Sequence, residues 1–225
     1  SHIFQIIQKK VPIKIEELVG LARATDDPTV LTVNSNSKIK TLDDVLKASK
    51  DKKGGLKWGT TFAGGADHVG IHNFCKAAGN IPYTIVPFKG GGDIVTNLVS
   101  GNIEVALLNY AEGESQYGSG EFRPIVSLSE EPIEALEGVK TARDAGVNAL
   151  ASTVRGFACL SGVPQDRVDA LSNGLVKAMK HGVYQGYLAS GGMPKSSVIG
   201  AEKWNAEIRR IYTESTTALT ELGML

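Results

Sequence analysis

Three adjoining segments decide the fold, and they read Leu56-Lys57-Trp58-Gly59-Thr60-Thr61, Ala63-Gly64-Gly65 and Ala66-Asp67-His68. The first is typical of a short strand, the second of a tight turn and the third of the start of a helix. The helix is predicted because apolar residues recur at i, i+3, i+4 and i+7 on one face, namely Ile71, Phe74, Cys75 and Ala78.

The same unit recurs directly downstream. Residues 83–88 are rich in β-branched residues and predict a strand, and residues 89–92 form a second glycine turn. Asp93 then stands where it can cap a helix, and residues 103–108 predict the next strand. Strands that alternate with helices in this way predict an α/β fold with a parallel sheet.

The rest of the chain continues the α/β pattern. Residues 41–55 predict a helix with a glycine stop, and residues 153–160 predict a strand. Pro164 opens a predicted helix with an inward apolar face of Val168, Leu171, Leu175 and Met179. The last amphipathic helix carries Trp204, Ile208, Ile211, Tyr212, Leu219 and Leu222.

The two glycine turns are the strongest functional signal. Each leads from the end of a predicted parallel strand into a helix N-terminus, where free N–H groups and the helix dipole favour an anion. Ligands of open α/β sheets bind at these strand ends, so two such turns would face one crevice. The alternative is that the glycines only permit tight turns.

Neither turn matches a nucleotide-binding motif. Gly64-Gly65 lacks the G-x-G-x-x-G spacing, and no G-K-[ST] follows any glycine turn. His68 and His72 share one helix face, but no nearby Cys or further His completes a tetrahedral metal set. We therefore expect neither a cofactor nor a metal.

An enzyme is also disfavoured. Asp67-His68 resembles a catalytic pair, but no G-x-S-x-G nucleophile elbow occurs, and Asp67 is interpreted as a helix cap. His68 is either a ligand donor or a hydrogen-bonded structural residue. Cys75 lies on an apolar helix face, which is a poor place for a nucleophile.

Three further polar residues are candidates for binding. Arg155 lies inside the apolar strand 154–160, and its guanidinium suits bidentate recognition of a carboxylate. Lys89 precedes the second turn, and Asn109 follows strand 103–108, where ligand contacts occur in this topology. The alternatives are a structural ion pair or edge exposure for Arg155, a solvated lysine, and a simple turn residue for Asn109.

The composition is that of an ordinary globular protein. Twenty-four basic and 24 acidic residues balance, which argues against nucleic acid as a partner. Cys75 and Cys159 are expected to be buried free thiols rather than a disulfide. No apolar run approaches the length of a membrane span.

At these residues the sequence resembles the periplasmic solute receptors of tripartite tricarboxylate transporters, which are also called Bug receptors. The resemblance runs over nearly the whole chain. It is carried by Lys40-Thr41-Leu42-Asp43-Asp44, Leu56-Lys57-Trp58-Gly59-Thr60, Gly64-Gly65-Ala66-Asp67-His68, Val86-Pro87-Phe88-Lys89-Gly90-Gly91-Gly92, Leu98-Val99-Ser100-Gly101, Arg155-Gly156-Phe157 and Val163-Pro164.

The resemblance implies a two-lobe α/β fold of the periplasmic-binding-protein type, similar to type II, that closes on its solute. It implies two crossover strands between the lobes, near residues 28–33 and 122–128. Residues 1–33 would then hold part of lobe one and the first crossover. Residues 34–120 would form lobe two, and residues 121–225 the second crossover and the rest of lobe one.

The resemblance also implies a small mono-, di- or tricarboxylate ligand, delivery to membrane transporter subunits, and a periplasmic location. Arg155 would reach the ligand from lobe one. The predicted ligand-binding residues are Thr60, Thr61, Gly64, Gly65, Asp67, His68, Lys89, Gly90, Gly91, Gly92, Asn109 and Arg155.

The sequence departs from the family pattern in two places. Family members usually begin with further strand–loop–helix units of lobe one, which are not in this chain, so lobe one is expected to expose apolar surface. Many members carry an acidic residue at the position of Leu108, which argues here against recognition of an amino or water-mediated group. Helix propensity favours a helix over residues 16–24, but the family pattern predicts a strand from about Val19, and we follow the family.

The favoured interpretation is a transport receptor without enzymatic activity. Two rivals remain from the sequence. One is a periplasmic sensor domain that serves a signalling partner. The other is a small transferase on a similar two-lobe scaffold, for which Asp67 and His68 are the best acid–base candidates.

Overall fold

The computed structural model describes residues 2–225, which form two compact units. Unit one comprises the residues up to Asp27 together with Thr153–Leu225, and unit two comprises Pro28–Ser152. The chain therefore passes from one unit to the other twice, at residues 27–28 and again at residues 152–153.

The elements follow one another along the chain with short connections. The first are α1 (His2–Ile7) and the 17-residue strand β1 (Leu18–Asn34). Unit two continues with α2 (Leu42–Asp51), β2 (Leu56–Thr60), α3 (Ala66–Ala77), β3 (Tyr83–Pro87), α4 (Gly91–Val99), β4 (Val105–Asn109), α5 (Tyr110–Ser119) and β5 (Phe122–Ser127). Unit one resumes with β6 (Ser152–Leu160), α6 (Gln165–Met179), α7 (Gly182–Ser190), β7 (Ile199–Gly200) and α8 (Ala201–Glu221).

Unit two is built on a mixed sheet in the order β3-β2-β4-β1-β5. As predicted from the alternation of strands and helices, β2 runs parallel to β3 and to β4. The second half of β1 runs antiparallel to both β4 and β5. The three parallel strands end at the same edge of the sheet, and their helices begin there.

The core of unit two packs helices against this sheet. Trp58 of β2 and Phe74 of α3 are fully buried, and their ring centroids lie 5.8 Å apart. Leu31, Ile71 and Val105 are equally inaccessible to solvent. The apolar face of α3 therefore packs as its 3.6-residue periodicity predicts.

Unit one uses the other half of β1. There β1 pairs with β6 and β7. The long helix α8 packs on this strand, and it approaches so closely that a Cβ at Gly20 would stand 2.7 Å from Cδ1 of Trp204. Trp204 and Ile208 are buried in the core of the unit together with Ile6 and Ile15.

Two expectations about β1 and β5 have different outcomes. The strand predicted from the family pattern in place of a helix is confirmed, since β1 begins at Leu18. The boundary between the compact units lies elsewhere than the second crossover predicted at residues 122–128, which stays a prediction. β5 pairs with β1 inside unit two, so residues 121–152 remain in that unit and the second passage follows Ser152.

The helices also differ from expectation. The helices α1, α5 and α7 were not predicted from the sequence. On α6, Val168 and Met179 are buried as expected, but Leu171 is 50% exposed and does not belong to an inward face. Phe157 and Leu160 on β6 are about half exposed.

Neither cysteine forms a disulfide, and no described helix is suited to span a membrane. Both cysteines are free thiols; Cys75 is buried as predicted, whereas Cys159 is only half-buried. No helix among residues 2–225 has the length and apolar character needed to cross a bilayer.

Arg23 is the buried ionic centre of unit one. Its side chain donates to both carboxylate oxygens of Glu207, at 2.8 and 2.9 Å, and to the backbone oxygens of Ser196 and Ser197. Asp26 pairs with the same guanidinium at 2.9 Å. Burial raises the pKa of Glu207, and the charge of Arg23 opposes that shift. The guanidinium thus ties β1 to α8 and to the loop before β7.

We predict that Arg23→Met destabilises unit one strongly. The substitution takes the Arg23 donor from the largely buried Glu207 carboxylate and from two carbonyl oxygens, which costs roughly 3 kcal/mol. The matched control is Arg167→Met at an exposed arginine of α6, which should change stability by less than about 0.5 kcal/mol. Urea unfolding followed by circular dichroism measures both, and equal stability of the two variants would contradict this role of Arg23.

A second prediction concerns the glycine pair that leads into β2. Gly54 and Gly55 both have positive φ, +80° and +74°. A Cβ at Gly55 would overlap the carbonyl oxygen of Pro82 and stand 2.5 Å from the nitrogen of Tyr83, whereas a Cβ at Gly54 would meet only a hydroxyl at 3.4 Å.

Gly54→Ala should therefore cost about 1–2 kcal/mol, for the left-handed backbone alone. Gly55→Ala should cost at least about 1–3 kcal/mol more, because backbone atoms of β3 must move. Urea unfolding measures the free energy of unfolding of both variants. The difference between the two values gives the cost of the close contact between residue 55 and the backbone of Pro82 and Tyr83. Equal losses of unfolding free energy in the two variants would show that the positive φ alone sets the cost of each substitution.

Candidate functional site

The two glycine turns lie side by side at one edge of the unit-two sheet. In the parallel pair β2–β3, Thr60 stands opposite Pro87, and the N–H of Phe88 donates to the carbonyl of Thr60 at 2.7 Å. The turn after β2 leads into α3 and the turn after β3 leads into α4. The N-cap residues of these helices are Gly65 and Gly90, and neither helix has an N-cap side-chain hydrogen bond.

The first turn is closed by its own hydrogen bonds. Asp67 accepts from both the N–H and the hydroxyl of Thr61, at 3.2 and 2.7 Å. The N–H of Gly64 donates to Nδ1 of His68 at 3.0 Å, and the N–H of Gly65 donates to the carbonyl of Phe62 at 3.3 Å. These three amides therefore already have protein acceptors.

This arrangement corrects two expectations from the sequence. The expectation that the amides of Gly64 and Gly65 face an anion is not met, because the turn folds back on its own carbonyl and imidazole groups. Asp67 does not cap α3; it holds Thr61 instead. The first amides of α3, at residues 66–68, have no acceptor within the helix itself.

His68 has a structural role in the first turn. Its side chain is 5% exposed, and burial, followed by the neighbouring charge of His72, lowers its pKa. Because Nδ1 accepts the N–H of Gly64, the proton of the neutral ring sits on Nε2. Thr60 is also fully buried, with its hydroxyl directed to the carbonyl of Phe62 at 3.4 Å. Direct ligand contact by Thr60 or His68 stays a prediction.

The second turn is more open. Lys89 is exposed, Gly90 has an extended backbone with φ −177°, and Gly91 and Gly92 form the first turn of α4. Asp93 lies inside the helix rather than at its N-cap position, so the prediction that it caps α4 is wrong. The second turn therefore presents two glycines at a helix start, without a side chain of their own to cover it.

Glu112 lies against this second turn, and it was not among the predicted site residues. Asn109 is the N-cap of α5 and forms a reciprocal capping box with Glu112, in which Oε2 of Glu112 accepts the N–H of Asn109 at 3.1 Å. The same carboxylate reaches Gly91, where an added Cβ would overlap Oε1 and stand 2.7 Å from Cδ. The N-x-x-E spacing of a capping box is visible in the sequence and was the available signal.

The structure thus brings the predicted site residues into three groups. The first turn holds Thr60, Thr61, Gly64, Gly65, Asp67 and His68. The second turn holds Lys89, Gly90, Gly91 and Gly92, and Asn109 is joined to it through Glu112. Arg155 lies in unit one, where its exposed side chain pairs with Asp27 at 3.3 Å. A ligand role for Arg155 stays a prediction.

The described residues offer little for other chemistry. No group of three or more His, Cys, Asp or Glu side chains is placed to hold a metal ion anywhere in residues 2–225. Nδ1 of His72 is hydrogen-bonded to the hydroxyl of Tyr83 at 2.9 Å. Burial raises the pKa of the Cys75 thiol to about 12, so this thiol stays protonated and is a poor nucleophile.

Solved structures confirm the fold. A TctC solute-binding protein from Polaromonas, solved without ligand, has a TM-score of 0.86 and 21% identity, over 98% of this chain and 76% of that one. A Rhodopseudomonas palustris protein solved with adipate has a TM-score of 0.77 and 16% identity, over 92% and 69%. The protein MatC from the same organism, with bound malate, has a TM-score of 0.75 and 16% identity, over 96% and 75%.

Sequence comparison gives curated relatives and a family. Protein BugT of Bordetella pertussis is 25% identical over 141 residues, which are 62% of this chain and 43% of that protein. The chain spans less than half the length of the curated relatives it matches. The family described as "Tripartite tricarboxylate transporter family receptor" matches residues 4–205, nearly the whole chain. The chain therefore belongs to the tripartite tricarboxylate transporter receptor family.

Proposed function

We propose that the chain is the solute receptor of a tripartite transporter, and that unit two binds a carboxylate group of a small organic acid. Two observations support this together. The chain belongs to a receptor family, and two helices begin side by side at glycine N-caps, where helix dipoles and first-turn amides attract an anion.

The contacts proposed for this carboxylate differ from those expected from the sequence. The first amides of α3 and the glycines of α4 supply the donors, and the hydrogen bonds of Thr61 and His68 hold the first turn in shape. Lys89 stands at the entrance of the second turn, where its ammonium group adds a charge-assisted hydrogen bond. No step of this function requires a nucleophile or a proton transfer.

The ligand class and the partner follow from the family. Similar folds have been solved with adipate and with malate, which supports a di- or hydroxycarboxylate of that size. The family description names a tripartite tricarboxylate transporter, so the proposed partners are its membrane subunits and the proposed location is the periplasm. Turnover of these acids by the purified chain would instead favour the transferase alternative.

We predict that Lys89→Met weakens binding of malate and adipate about tenfold, or by about 1.4 kcal/mol, because one charge-assisted hydrogen bond is lost. Isothermal titration calorimetry of the purified chain measures the affinity. The control is Lys57→Met, an exposed lysine at the opposite end of β2, which should leave the affinity unchanged. Equal affinities of the two variants would remove Lys89 from the site, and absence of binding to any carboxylate would contradict the proposed function.

A second prediction concerns the pH dependence of stability. His68 has a pKa below the ordinary value of 6.5 in the folded chain, so the unfolded chain takes up the proton first as pH falls. Its stabilising contribution is therefore present above about pH 6.5 and is lost as pH falls through the lowered pKa.

His68→Gln keeps an acceptor for the N–H of Gly64 but does not titrate. Urea unfolding between pH 7.5 and pH 5 should show a smaller loss of stability for this variant than for the wild-type chain. If both lose the same free energy of unfolding, the neutral imidazole of His68 does not hold the turn.

A further inference from the structure

Phe62 is an exposed aromatic residue within the first turn. Among residues 28–152, all of which the structure describes, Phe62 and Val99 are the large hydrophobic residues that stay exposed, and Phe62 is the more open of the two at 47%. A single exposed apolar residue needs no explanation by itself. The place of Phe62 does need one, because it lies between Thr60 at the end of β2 and Gly65 at the start of α3.

The ring of Phe62 stands over the N-cap position of α3. A Cβ at Gly65 would lie 2.7 Å from Cζ of the ring and 2.8 Å from Cε2. The backbone of Phe62 is held within the turn, since its carbonyl oxygen accepts the N–H of Gly65 at 3.3 Å and the hydroxyl of Thr60 at 3.4 Å. The ring therefore occupies the space that a side chain at the N-cap position would need.

Gly65 is required by this ring and not by its own backbone conformation. Its φ is −88°, which every residue adopts. Asn, Asp and Ser are preferred over Gly at an N-cap because their side chains accept the first amides of the helix, and α3 has no such hydrogen bond. Stability of the fold alone does not account for Phe62, since its ring both exposes apolar surface and excludes a capping side chain.

We propose that Phe62 determines which acids the carboxylate site prefers. This inference rests on the proposed function. The first amides of α3 hold one carboxylate of the ligand, and the ring of Phe62 packs against the methylene groups that follow this carboxylate. The site therefore prefers dicarboxylates with a long unsubstituted chain over short ones.

The physical reason is that apolar surface of both the ring and the ligand is removed from water. Each methylene group that is fully buried increases the affinity about fourfold. Such a contact is not directional, so it depends on the length of the chain and not on a particular substituent. Succinate and adipate carry the same two carboxylates and differ by two methylene groups, and they are therefore the matched pair of probes.

The test is calorimetric titration of the purified chain with adipate and with succinate. The wild-type chain should bind adipate at least about fivefold more tightly, since the two methylene groups are partly buried. Phe62→Ser should bring the two affinities within about twofold by weakening adipate alone. Phe62→Leu keeps an apolar side chain and should retain most of the preference. The control is Val99→Ser at the last residue of α4, which should leave both affinities unchanged.

A further variant moves the ring without removing it. An added Cβ at Gly65 must displace the ring of Phe62, so Gly65→Ala should also reduce the preference for adipate. In a chain that already carries Phe62→Ser, Gly65→Ala should not change the ratio of the two affinities further, because the two residues act through one contact. Circular dichroism shows whether each variant is folded.

The outcomes separate the two proposals. If the wild-type chain binds neither adipate nor succinate nor malate, the proposed function fails. If it binds a carboxylate but does not prefer adipate over succinate, or if Phe62→Ser keeps that preference, the receptor function stands and the role of Phe62 is overturned. Equal weakening of both acids by Phe62→Ser also overturns this role, because the ring would then only shape the turn.

Discussion

The parallel pairing of β2 with β3 is the constraint on which the site depends. It sets Thr60 opposite Pro87, and the hydrogen bond from Phe88 to Thr60 continues the pairing one residue beyond the strands. The two turns must therefore begin at the same edge, and both helices point their N-termini there. A different register between these strands would separate the turns. The dipoles of α3 and α4 could then not act together on one anion.

The strands and helices of unit two were largely predictable because their signals are local. Apolar residues at helical spacing predicted α3, and its face is buried as expected. The helix α5 was missed because its sequence is polar and rich in glycine, although Asn109 and Glu112 form a recognisable cap. The difference between the predicted second crossover and the boundary of the compact units has another cause. Nothing in the residues of β5 tells which neighbour it pairs with, and its partner β1 lies about ninety residues earlier in the chain.

The sequence predicted which turns form the candidate site, but not the hydrogen bonds within them. Glycines before a helix start indicate where amides converge, whereas the acceptor that each amide finds depends on the closed conformation of the turn. Gly64 donates to His68 four residues later, and this contact could not be inferred from spacing alone. Glu112 contacts Gly91 from a different helix. This contact could not be predicted without knowing how α5 packs beside α4.

The positions of the two tryptophans determine what intrinsic fluorescence can report about this molecule. The chain has two tryptophans, and Trp58 lies in the core of unit two while Trp204 lies in the core of unit one. Each compact unit thus contains one buried indole. In a single-tryptophan protein made by a Trp→Phe exchange, the intrinsic fluorescence would follow the environment of one unit alone, without any attached dye.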